Sequence, residues 1–481
     1  MATHGGPRTE GRTAAAAGPQ RHNASMSTPP SVHTALAHHA DLPCDSLGNP
    51  VTLHDPSSLG PVNDFVEGFI RCEARCVRLL DAAADSSPWV QASVAALHLF
   101  AENAQAPRQA RPFIDRALAG ARHATEREQR FIAAVAAWVD GDLARAVALH
   151  EEQARLHPRD LVSLKLGQYH LFNQGNSPGM LRLALACAKA ASDVPQWHGM
   201  AAFGYEQCHL LREAEQRARH ALQHCPTEPW AQHALAHVML TEGRHREGRH
   251  FMRQSSGGWQ PLNSFMRTHN WWHLALFELE LGEHDAVLAL YDQQVWGVEK
   301  GYSQDQINAV SLLARLELAG VPVGDRWRDL GEHLAQREHD HVLPFLDLQY
   351  LYGLARAGRT EQAHAWLDSL QAHAQQVHGP LRAAWLEVAC PAAQGLLAHA
   401  TGRAAEAVRA LGTALPRLLE TGGSHAQRDL FSQIHLDALM RSGQWVGAQN
   451  LLQVQANQHP ESQRLQRQAH AVRTALGLPA D

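Results

Sequence analysis

A recurring turn constrains this chain more than any other feature. Segments at 138–160 ("WVDGDLARAVALHEEQARLHPRD"), 210–230, 240–252, 279–292, 354–370, 398–415 and 439–462 share one grammar. A helical-period stretch ends at a turn, usually with glycine. A second stretch follows with small residues near its start, and proline often closes it. Glycine suits the left-handed cap that ends a helix, and proline cannot continue one. Two-helix units of about 34 residues are the tetratricopeptide (TPR) pattern, and such units must stack to bury their apolar faces. Ala144, Ala214 and Ala363 are the small residues expected where second helices cross closely. Strand-like alternation is absent beyond residue 60. Seven segments in phase predict an all-α chain, an α-α superhelix (TPR-like solenoid) of roughly nine irregular helix-turn-helix repeats. The long joints at 255–264 and 320–327 predict a tightly curved or closed superhelix.

Composition narrows the functional classes. The 481 residues are 45% hydrophobic, with a formal net charge of −6 and 33 histidines. A pI near 6.6 gives no basic face for nucleic acid. No apolar run approaches the roughly 18 residues of a membrane span. Seven cysteines without a CxxC predict reduced thiols and a cytoplasmic protein, with Cys72 and Cys76 at helical spacing. The histidine count predicts a surface that loses its negative charge in mild acid.

Residues 1–40 are Gly/Ala/Pro/Arg-rich and predict a disordered leader, with Met26 a candidate start. An N-terminal helical segment is expected over 41–125, the repeats over 126–460, and a polar tail helix over 461–481.

Several stretches are more specific than the repeat. They are "DSLGNPVTLHDPSSLGPVNDFVEGFI", "HPRDLVSLKLGQYHLFNQGN", "GMAAFGYEQCHLLREAEQRARHAL", "PWAQHALAHVMLTEGRHREG", "RTHNWWHLALFELELGEHDAVLALYD" and "GGSHAQRDLF". Together they resemble the tetratricopeptide repeat protein 38 family over about residues 41–460. The resemblance implies a TPR-like solenoid and no established reaction. It also implies an acidic residue before "AVSLLARLEL", where this chain carries Asn308.

Two histidine pairs stand out. His233/His237 and His269/His273 are each four residues apart, one helical turn on one face. Phasing on Pro226 places Trp230, His233 and His237 on one first helix, facing the concave side. Glu206 falls late on the preceding first helix, and His269/His273 on the following one. His233, His237, Glu206 and His269 would form a zinc or iron set if a metal is bound, although no cofactor is demanded by the sequence. "HALAH" lacks the glutamate of a zincin protease. The bland alternative is groove-lining or half-buried packing, because i,i+4 pairs arise by chance in a histidine-rich chain. His220/His224 is such a pair and is expected in solvent. Trp271 and Trp272 read as packing. Ser424 and Gln427 in "GGSHAQRDLF" read as a capping box. Arg428 and Asp429 would pair together or face the groove, where Arg428 would suit an anion. His339 and His341 read as surface. No nucleophile beside a base is visible, nor any GxSxG or phosphate loop.

Two functions follow as expectations. The first is a binding or scaffold protein whose concave groove takes a peptide, protein or small ligand, without nucleic acid or membrane. The alternative is a metal- or small-molecule-dependent enzyme with a His/Glu site inside a closed solenoid. The balance leans away from an enzyme, and no oligomeric state is implied.

Overall fold

A computed structural model describes residues 42–337 and 339–479. Among these residues the regular structure is helical, with two isolated bridges and no strand. Nine turn residues lie in the left-handed region: Gly141, Gly175, His209, Gly243, Gly282, Gly320, Gly358, Gly402 and Gly443. Each joins the two helices of a pair. The first four are spaced by 34 residues and the rest by 38 to 44. The amide after each turn reaches back to the preceding helix, as from Asp142 to the Ala137 carbonyl (2.8 Å) and from Arg244 to Met239 (2.9 Å). That bond satisfies a carbonyl which the helix end would orphan.

The first helices of pairs one to nine are Glu126–Val139, Leu161–Asn173, Pro195–Gln207, Pro229–Thr241, Ser264–Glu280, Ser303–Leu318, Pro344–Arg356, Cys390–Ala400 and His425–Arg441. These form the inner layer. Pro229–Thr241 is buried at every position from Ala231 to Met239, and Pro344–Arg356 from Pro344 to Ala355. A helix apolar all round belongs inside. The second helices bury one narrow stripe, such as Ala214, Ala218 and Ala221 on Leu211–His224. Ala214 and Ala363 are fully buried as expected, but Ala144 is exposed and Ala146 fills that contact. The crossing point is set by the turn at Gly141, two residues out of step with the sequence reading.

The superhelix curls until its end meets its beginning. The Gly175 turn backs onto the Leu419 carbonyl, and the Gly243 turn onto that of Gln458. A Cβ at either glycine would come within 2.2 and 2.7 Å of those oxygens. Helix Gln463–Ala475 buries Leu465 and Val472 and sends Arg464 to Glu280 at 2.8 Å.

Three leading helices, Leu59–Ile70, Pro88–Leu99 and Ala106–Gly120, precede the pairs. Pro88–Leu99 and Ala106–Gly120 pack on each other and on Glu126–Val139, and residues between Phe69 and Glu102 line the interior cavity. The chain reverses at Cys72 (φ 52°), so Cys72 and Cys76 do not share a helix. Asn263 N–H donates to the Cys72 carbonyl at 2.7 Å, and Ala74 N–H to Pro261 at 2.9 Å. The long 255–264 joint is therefore the dock for the leading segment. All seven cysteines are free thiols. Among the described residues no helix is long and apolar enough to cross a membrane.

Candidate functional site

The site is built from first helices three to six. Pro195–Gln207 begins at proline and carries Glu206 in its last turn. Pro229–Thr241 is capped by Glu228, whose carboxylate accepts from the Ala231 amide at 2.5 Å. Ser264–Glu280 starts at Asn263, which caps the Met266 amide at 3.0 Å. These caps fix the phase of the two histidine-bearing helices.

The phase brings both pairs together. His233, His237, His269 and His273 each offer a ring nitrogen, and the four nitrogens lie within 4.8 Å of one another. The Nε2 atoms of His233 and His237 are 3.1 Å apart. Two nitrogens on one tetrahedral ion at 2.0–2.1 Å would sit about 3.3 Å apart. Glu206 Oε1 lies 3.6 Å from His237 Nδ1 on the far side of that ring, and Gln207 Nε2 holds the other carboxylate oxygen at 2.6 Å. Asn308 Oδ1 meets His269 Nδ1 at 3.0 Å, so the residue at the expected acidic position does contact the site. Trp272 stacks on His269 at 5.1 Å, a packing role that also holds the imidazole.

All four histidines are buried. Burial pulls the His269 pKa down to about 3. It takes His233 and His273 well below the usual value, with the neighbouring imidazoles adding to the effect. His233, His269 and His273 are therefore neutral, the form that binds metal. Both ring nitrogens of His273, and Nδ1 of His233, lack a hydrogen-bond partner. Buried polar atoms are rarely left so. Four converging imidazoles, two of them with orphaned nitrogens, are a donor set that fits zinc, iron, nickel or copper.

His233 and His269 also line a cavity of about 470 Å³. Phe69, Phe100, Phe172, Phe203, Trp230 and Met200 are among the apolar residues of its wall. Val77 and Leu80 stand exposed at its rim. Its one cation is Lys165, which donates to Cys72 Sγ at 2.9 Å and to the Phe69 carbonyl and lies over the Trp230 ring at 5.3 Å. Opposite in charge is Glu102, which accepts from Tyr169 (2.8 Å) and Gln304 (2.7 Å). Neither Lys165 nor Glu102 was singled out in the sequence. The signal for Lys165 was a lone cation in the apolar run "LVSLKLGQYHL".

The remaining expectations divide. Trp230 faces the cavity. The capping box at Ser424/Gln427 is present. Arg428 turns inward to the Gly423 carbonyl and toward His425, whose Nε2 meets the Gln207 carbonyl at 3.2 Å. Asp429 turns the other way. It does not pair with Arg428, and it lines a separate 290 Å³ pocket with Leu415 and Gln433. Successive helical residues diverge by about 100°, so Asp429 points away from Arg428, with Arg315 Nη2 3.8 Å from its Oδ2. His220 and His224 are exposed, as expected. His339 is exposed too, but His341 is not a surface residue: its side chain is 9% exposed and bonded to Asp347 and Ser369. This also corrects the expectation that no hydroxyl lies beside a base.

No family model matches the chain. Among solved structures it is similar to human IFIT1, in dimers with PPP-AAAA and with m7Gppp-AAAA. Identity is 12% in both, with TM-scores of 0.40 and 0.41 over 91% and 90% of this chain and 92% and 96% of that one. A structure of Naa15/Naa10 bound to HypK-THB matches at 10% identity and a TM-score of 0.25, over 88% of this chain and 67% of that one. Likeness at this level carries neither ligand nor partner across.

Proposed function

We propose that this protein is a TPR-like solenoid that binds a small, largely apolar ligand in its interior, beside a transition metal held by His233, His237, His269 and His273. The observation that carries the reading is the convergence of four imidazoles within 4.8 Å, two of which, His233 and His269, line the cavity. Cavities of this size, apolar with a few convergent polar groups, suit small molecules. A peptide groove is disfavoured because residues of the leading segment, from Phe69 to Glu102, wall the cavity. When bound, the metal supplies Lewis acidity at the cavity wall. The chain's residues exclude water, hold His233, His269 and His273 neutral and orient His269 through Asn308. Glu206 is the reserve carboxylate behind His237.

The test is metal content by mass spectrometry on untagged protein purified without chelator. About one equivalent of zinc, iron, nickel or copper is expected, and none in a His233→Ala/His237→Ala variant. Equal metal in both, or none in either after offering each ion, overturns the reading.

A further inference from the structure

A second cluster lies apart from the histidine set, between the seventh pair and the connection before it. His341 sits in that connection, Asp347 in the first turn of Pro344–Arg356, and Ser369 in the middle of Thr360–Gln376. His341 Nδ1 meets Asp347 Oδ2 at 2.5 Å, and His341 Nε2 meets Ser369 Oγ at 2.7 Å. The carboxylate is buried, the imidazole nearly so, and the serine is half-buried at the edge of solvent. Burial pushes the Asp347 pKa up, and its contact with His341 opposes that. As a carboxylate Asp347 accepts only, so Nδ1 carries the imidazole proton. Nε2 is then left as an acceptor for the serine hydroxyl. That is the order of a nucleophile, its base and the group that orients the base.

The backbone around His341 supports a built arrangement. His341 and His339 both have positive φ, 43° and 53°. Non-glycine residues in that region are strained, and such strain persists where the surroundings enforce it. Here the Trp366 and Trp385 rings flank His341 at 5.8 and 6.3 Å, and the His373 ring stacks on it at 5.0 Å. His373 lies one helical turn beyond Ser369 on the same face. Burial pulls its pKa down to about 4, so at neutral pH it is an uncharged imidazole with one N–H to donate.

We infer that Ser369 is an activated nucleophile that accepts acyl groups from carboxylic esters, with His341 as its base and Asp347 as the positioning residue. Ser369 Oγ bonds to the ester carbonyl carbon as its proton passes to His341 Nε2. The neutral His373 imidazole, one helical turn from Ser369 and stacked on His341, is the nearby N–H donor for the developing oxyanion. Collapse of the adduct breaks the bond to the alcohol oxygen, which leaves with the proton from His341. Water then enters by the same relay, releases the acid and restores the hydroxyl. The site needs no metal and does not depend on the reading of the histidine cluster.

The test is labelling of the full chain with a fluorophosphonate, which phosphonylates activated serines, followed by mapping of the adduct. Labelling at Ser369 is expected, absent in Ser369→Ala and slowed at least about 100-fold in His341→Gln. Asp347→Asn should slow it similarly, and Asp347→Glu should restore part of the rate. Unlabelled Ser369 in the wild-type chain overturns the proposal without recourse to any variant. So does a labelling rate unchanged in a folded His341→Gln protein, since that is the behaviour of an ordinary hydroxyl.

Discussion

At the scale of single residues, buried histidines give the chain a pH response in addition to that of its exposed ones. His150 and His269 are drawn down to about 3 and His425 to about 4, in each case first by burial. Unfolded, each titrates near 6.5. Below that pH the unfolded chain takes up protons that the folded chain refuses. Stability is therefore full above about pH 6.5 and falls as pH drops toward 4. The slope is about 1.4 kcal/mol per pH unit for each such histidine. Metal-free protein should lose thermal stability steeply between pH 6.5 and 5 in circular-dichroism melts, and a flat profile would refute the buried neutral rings. Asn308 allows a second test. Partners that orient a metal-bound imidazole are worth about 10–100-fold in affinity. Asn308→Leu should weaken metal binding by that factor in a competition titration, whereas unchanged affinity would make the 3.0 Å contact incidental.

At the scale of elements, the turns carry two burdens that the sequence pattern does not separate. Gly402 and Gly175 both need positive φ, 82° and 67°. A side chain at Gly402 would meet open space, whereas one at Gly175 would collide with the backbone of Leu419 and Glu420. Left-handed strain alone costs roughly 1–2 kcal/mol. Gly402→Ala should cost about that in chemical denaturation. Gly175→Ala should cost clearly more, because the colliding atoms are main chain and cannot rotate away. His209 shows that the slot tolerates a side chain where room exists, at φ 56° with its ring 4.1 Å from that of His425. Seven of the nine pairs and their approximate number were therefore legible from turn chemistry and helical period. The Gly175 pair was not singled out, and the 320–327 stretch, read as a long joint, is the turn within a pair. The misplacement of Ala144 for Ala146 shows the limit: a propensity for small residues identifies the helix, but close packing selects one of its faces.

At the scale of the whole molecule, closure of the superhelix is held by contacts between residues nearly 200 positions apart. Arg464 is buried against Glu280, and Ser462 donates to the same carboxylate. Removing one member of a buried pair leaves an uncompensated charge, which costs about 3–5 kcal/mol. Arg464→Leu should lower stability by that order in guanidinium titration, and a near-neutral result would mean that the last helix contributes little to the closed form. The same closure turns a concave face into a lined cavity, with Glu102 of the leading segment bonded to Ser303 and Gln304 of the sixth pair.

The repeat, its helical class and the pairing of His233 with His237 and of His269 with His273 were determined by the sequence alone, because each follows from local periodicity and turn chemistry. The meeting of the two pairs, the placing of Glu206 behind His237, the outward turn of Asp429 and the Ser369–His341–Asp347 chain were decided only by tertiary structure. Each depends on the rotation of one helix against another, or on a non-helical connection. A sequence fixes which residues share a helix face, but the distance between two faces is set by the packing of everything between them.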